Sequence, residues 1–113
     1  MKVYHNHRVE PYFTYVRKGK KNIEVRLRKG KYAEILAGDE IIVQTPDESG
    51  SFSVDVVAIR NYASLRELFT SEDLSKVLPN AKDVDDAIAL TRKFYAEEDE
   101  NKYGVVALEV KLK

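Results

Sequence analysis

The chain contains no cysteine, which excludes a disulfide scaffold, a thiol nucleophile and a cysteine-ligated zinc site. It has no run approaching the ~20 apolar residues needed to cross a bilayer. The opening residues Met1-Lys2-Val3-Tyr4-His5 lack the apolar stretch of a signal peptide, so a cytoplasmic location is expected. There is no repeat, no low-complexity tract and no linker. Nothing resembles a Ser-His-Asp arrangement, a glycine loop for phosphate or a dinucleotide fingerprint, and the five glycines are scattered. No cofactor is implied.

The chain does have enough apolar residues for one core: 113 residues, 43% hydrophobic and 34% charged. These figures predict a single domain spanning residues 1–113. The net charge is zero, but it is unevenly spread. Residues 1–36 hold ten Lys/Arg against three Asp/Glu, and the remainder holds nine against sixteen. The densest stretch, Arg17 to Lys31, has eight basic residues and one acid, Glu24. Such a cluster makes a local positive field that attracts phosphates even on a neutral molecule. Its competing explanation is an ordinary solvated surface.

Local signals predict about five strands with helices between them. Met1 to Arg8 reads as a strand. Glu10-Pro11 opens a helix, with Tyr12, Phe13, Tyr15 and Val16 on its apolar side and Gly19 as its C-cap. Asn22 to Arg28 alternates, with Ile23, Val25 and Leu27 on one face and Asn22, Glu24, Arg26 and Arg28 on the other. A helical turn at Tyr32–Leu36 leads through Gly38-Asp39 to a strand at Glu40–Thr45, and Pro46–Gly50 forms a hairpin loop. In Ser51–Arg60 the apolar phase shifts from Phe52, Val54 and Val56 to Val57 and Ile59, which predicts a bulge. Ser64 caps a helix at Leu65–Phe69, and another helical segment follows from Ser71 and Leu74. Asp83 caps a longer helix with Val84, Ala87, Ile88, Thr91 and Tyr95 along one stripe. An acidic stretch, Glu97 to Glu100, precedes a final strand at Tyr103–Leu112. So many strands in so short a chain predict an α+β fold built on a small closed or nearly closed β-barrel with flanking helices.

The residues that carry chemistry concentrate in Gly19-Lys20-Lys21-Asn22-Ile23-Glu24-Val25-Arg26. Glu24 and Arg26 share a strand face, and Lys21 comes from the turn before it. A carboxylate between two cations stays ionised, and the three form a small polar cluster able to bind a polar ligand. The plain alternative is a solvated strand face with weak ion pairs. His5 and His7 share a face of the first strand but have no third ligand nearby, so a ligand-facing or backbone-bonded role is expected and no metal site. Tyr12, Tyr15, Tyr62, Tyr95 and Tyr103 are candidate stacking surfaces or rim aromatics.

The stretch Gly19-x-Lys21-x-x-Glu24-x-Arg26 resembles the G-x-K-x-x-E-x-R signature of ASCH domains, small β-barrels related in fold to the PUA domain. The resemblance extends to Pro11-Tyr12-Phe13, Ala37-Gly38-Asp39-Glu40-Ile41-Ile42, the Tyr62–Phe69 segment and Lys102-Tyr103-Gly104-Val105-Val106. It implies RNA-related binding in a cleft beside the barrel, lined by Lys21, Glu24 and Arg26. One branch of the family resembles amidohydrolases that deacetylate N4-acetylcytidine with a lysine, a threonine and a glutamate. Lys21 matches that lysine, but Glu24 occupies the threonine position and Asn80 the glutamate position.

The leading expectation is therefore a binding module for RNA, a nucleotide or a modified nucleoside. Its ligand residues are expected among Lys20, Lys21, Glu24, Arg26, His5, His7 and Tyr103. No membrane partner is expected, and a monomer is the default. The alternative is a small hydrolase, amidohydrolase-like or ribonuclease, using Lys21 and Glu24.

Overall fold

The apolar-alternating segments all become strands in the computed structural model, which describes all 113 residues. These are β1 (Val3–His7), β2 (Ile23–Leu27), β3 (Glu40–Gln44), β4 (Ser51–Tyr62) and β5 (Val105–Leu112). They form one sheet in the order β1-β3-β4-β5-β2. The β1–β3 pair is parallel and the other pairs are antiparallel. The register of β4 against β5 shifts between Val56 and Ala58, where the sequence phase changes, and Val57 is left exposed. A bulge there increases twist, and it lets β4 bend while keeping both neighbours. The sheet curls into a half-barrel whose two edges are β1 and β2.

Six helices flank the sheet: α1 (Tyr12–Arg17), α2 (Lys31–Glu34), α3 (Leu65–Ser71), α4 (Leu74–Val77), α5 (Val84–Thr91) and α6 (Glu97–Tyr103). Two start where the sequence places caps, at Ser64 and Asp83, and a third starts at Asp73, where the sequence reading places none. Ser64 accepts from the Glu67 N–H, Asp73 from that of Ser75, and Asp83 from that of Asp86. The sixth helix departs from expectation. The acidic run reads as a connection, yet Glu97–Glu100 form the first turn of α6, where the helix dipole favours negative charge. Tyr103 therefore ends a helix instead of opening the last strand. Gly104, at φ 72 and ψ −176, makes the turn between them.

Two apolar cores result, one on each side of the sheet. The Ile23, Val25 and Leu27 face of β2 packs on Leu65, Leu68, Phe69, Val77 and Ala87 from the helices. Inside the curl, Phe13, Val16, Ile41, Val43, Val54, Val106 and Leu108 form the second core. Glu24 and Arg26 stand opposite Leu108 and Val106 in the β2–β5 register, so their face turns into the half-barrel. The alternation is as expected, but both faces of β2 are covered. The charged row is not a solvated surface.

Candidate functional site

The turn that delivers Lys21 is set by Gly19. At φ 77 it leaves α1 in the left-handed region. The N–H groups of Gly19 and Lys20 return to the carbonyls of Val16 and Tyr15. This paired closure reverses the chain at a helix end and needs a residue tolerant of positive φ. Lys20 is left exposed, while Lys21 is driven inward to 2% exposure. Its Nζ donates to the carbonyls of Ile23 and Val77. The free edge of β2 is thereby partly satisfied, and the Tyr95 hydroxyl meets the next free carbonyl, that of Val25, at 3.4 Å. Burial, reinforced by Arg8 and Arg26, pulls the Lys21 amine well below the usual lysine range.

Glu24 is also 2% exposed. It pairs with Arg8, which follows β1, and lies 3.6 Å from the Arg26 guanidinium. The Arg8–Glu24 pair spans the gap between the two edge strands, where no backbone ladder runs. Burial, with Arg26 adding to it, pulls the Arg8 guanidinium below its ordinary range. Arg26 donates to the Tyr95 hydroxyl at 3.2 Å and lies 5.3 Å from the centre of the Tyr32 ring. Glu24 Oε1 and Arg8 Nε have no hydrogen-bond partner within the protein.

Beside this cluster is a cavity of about 300 Å³ between the β2 edge, α1 and the end of α5. Arg8, Lys21 and Arg26 line its polar side, and Tyr12, Phe94 and Tyr95 provide aromatic walls. Phe94 is 55% exposed at the mouth, with its ring edge-to-face against Tyr12 at 6.4 Å. Thr91 also lines the cavity, but its hydroxyl donates to the Ala87 carbonyl at 2.8 Å. The Asn80 amide donates to the Tyr12 hydroxyl at 3.3 Å.

Of the three motif residues, Lys21 and Arg26 line the cavity, while Glu24 lies against Arg26 and is not among its lining residues. His7 joins them at the rim, where its Nε2 is 3.1 Å from Glu48. His5, Lys20 and Tyr103 do not line the cavity. His5 is exposed near Gln44, and the Tyr103 ring sits under Lys29 and Lys102 at the end of α6. Sequence reasoning missed Arg8 and Phe94. The signal for Arg8 was period two. Asn6 and Arg8 lie on the face of β1 opposite His5 and His7, and Asn6 is buried. For Phe94 there was no local signal, because it lies beyond the end of α5 and its position depends on how that helix packs.

The family model for the ASCH domain matches residues 7–113. The chain belongs to the ASCH domain family. Among solved structures it is similar to the crystal structure of hypothetical protein PH0355, at 39% identity over 100% of both chains with a TM-score of 0.89. It is also similar to the solution NMR structure of protein PF0455 from Pyrococcus furiosus, at 37% identity with a TM-score of 0.77, covering 99% of this chain and 97% of that one. An ASCH domain from Lactobacillus crispatus JV V101 shares the fold at 14% identity and a TM-score of 0.64, covering 98% of this chain and 79% of that one. No curated protein matches the chain. ASCH domains are PUA-like and are associated in general with RNA binding. No helix of this ASCH domain is long and apolar enough to cross a membrane.

Proposed function

We propose that this ASCH domain is a binding module whose cavity takes one nucleobase, from an RNA segment, a nucleotide or a modified nucleoside. The observation that carries this reading is a cavity of about 300 Å³ combining three basic side chains with three aromatic rings. That volume is at the small end for ligand pockets, which run from roughly 300 to 1,000 Å³. It suits a single base with its sugar better than a larger molecule. A base stacks on Phe94 or Tyr12, and Arg26 on the cavity wall meets a carbonyl or phosphate oxygen. Single-stranded RNA offers such bases unpaired.

The test is calorimetric titration of nucleosides, nucleotides and a short single-stranded RNA into the parent protein and Phe94→Ala. Phe94 is half-exposed, so its loss leaves the fold intact. Losing one base–aromatic stack costs about 1–3 kcal/mol, or roughly a 5- to 150-fold weaker affinity. Equal affinity in the two proteins would remove the base from this cavity.

One observation favours a second, enzymatic reading. Burial pulls the Lys21 amine well below the usual lysine range, which raises the share of free amine able to act as nucleophile or base. In that case the substrate would be an acylated nucleoside and Glu24 the partner carboxylate. Conversion of N4-acetylcytidine to cytidine, lost in Lys21→Ala, would support it. Absence of turnover in the parent protein would remove that substrate from consideration.

A further inference from the structure

The buried cluster is unbalanced in charge. Arg8, Lys21 and Arg26 line the cavity, Arg8 and Arg26 share a single carboxylate, Glu24, set behind its wall, and no Asp or Glu lines the cavity itself. Lys21 can relieve the imbalance by giving up its proton, toward which burial already drives it. The two guanidiniums cannot do so in practice. With two guanidiniums against one carboxylate, at least one positive charge is left over on largely buried side chains, where an uncompensated ion is costly. Arg8 also keeps its Nε–H buried without an acceptor. The surplus charge and the open donor favour one added anion, and the neighbouring Glu24 Oε1 is left as an open acceptor.

We propose that the ligand of this cavity carries a phosphate and that Arg8 is the residue that binds it. The inference rests on the nucleobase reading above and deepens it, from a base in general to a nucleotide. Arg8 suits the role because its planar donors match phosphate oxygens in pairs. Glu24 holds the guanidinium from one side and fixes its orientation across the gap between β1 and β2. The phosphate completes the charge balance, and the base extends toward Tyr12 and Phe94. The same phosphate chemistry is offered by a free mononucleotide and by an RNA strand.

The experiment compares each of the four ribonucleosides with its 5′- and 3′-monophosphates at low salt, alongside orthophosphate and a tetranucleotide. At least one monophosphate is expected to bind tenfold or more tightly than its nucleoside, with an affinity that falls as salt rises. Arg8→Met should bring that nucleotide down to the affinity of the nucleoside. Since Arg8→Met strips Glu24 of a partner, Arg8→Lys serves as the charge-retaining variant and should keep part of the preference. Nucleosides binding within twofold of their monophosphates would overturn the phosphate assignment and leave the base reading standing. Orthophosphate binding as tightly as any nucleotide would support Arg8 and overturn the base reading. A preference unchanged in folded Arg8→Met would place the phosphate elsewhere and refute the inference. A tetranucleotide stronger than the mononucleotide identifies a strand as the source, and the reverse identifies a free nucleotide; both support the role of Arg8.

Discussion

Glu24→Gln tests whether the centre of this domain is held by charge or only by shape. Glutamine keeps the volume and one carbonyl acceptor, so the substitution removes little besides the negative charge. Glu24 is the carboxylate that Arg8 and Arg26 both approach, the latter at 3.6 Å. Two unit charges at such a separation attract by about 4–5 kcal/mol at an effective dielectric of 20. Removing one partner of a buried pair costs about 3–5 kcal/mol, because the other charge is left uncompensated. For 113 residues, an unfolding entropy of about 2.1 cal/mol/K per residue makes 1 kcal/mol worth roughly 4 °C. The expected fall in Tm is therefore about 12–20 °C, read by calorimetry or thermal circular dichroism. The double variant Glu24→Gln with Arg8→Met should be more stable than the sum of the single losses predicts, since the orphaned cation is gone with its partner. A fall below about 3 °C, under 1 kcal/mol on that scale, would mean water screens the cluster and the charge argument fails.

Two further outcomes follow from the same structure. Gly104→Ala puts a Cβ 3.1 Å from the Tyr62 carbonyl oxygen at φ 72 and ψ −176, a region open essentially to glycine alone, so a loss of about 1–3 kcal/mol is expected by urea denaturation; unchanged stability would show that the α6–β5 turn relaxes freely. The Lys21 amine titrates below its ordinary value of 10.5 when folded, so between the two values the unfolded chain binds the extra proton. Stability should rise with pH across that window, and Lys21→Met should flatten the slope; equal slopes in the two proteins would mean Lys21 is not desolvated.

The elements were legible wherever a local rule decided them. The Val56–Val57 phase change marked the bulge, Ser64 and Asp83 marked helix starts, and Gly19 marked the end of α1. The segment 97–103 was not legible, because its support is tertiary. Glu100 is buried, pairs with Arg92 at 2.8 Å and accepts the Leu65 N–H at 2.7 Å. Its neighbours in sequence gave no sign that one acid among four turns inward. The site was half legible for the same reason. The motif spacing set Lys21 and Arg26 on the cavity wall and Glu24 against Arg26, since all three depend on one turn and one strand. Arg8, Tyr95 and Phe94 reach the cavity from other elements, and only the curl of the sheet makes them neighbours.

The depth of β2 also separates the structural duties of the motif from its binding duties. Lys21 spends its donors on the carbonyls of Ile23 and Val77, tying the β2 edge to α4. Glu24 bridges the two edges of the half-barrel through Arg8. Each of these contacts would favour the same residue types in a protein that binds nothing. Arg26 packs on Tyr32, meets Tyr95 and lies 3.6 Å from the carboxylate that Arg8 already pairs with. Its full positive charge adds to an imbalance the fold does not need. Phe94, half-exposed at the mouth, adds apolar surface that the fold does not bury. A surplus cation inside and an unburied ring outside are what a site for an aromatic anion would retain and a purely structural cluster would discard.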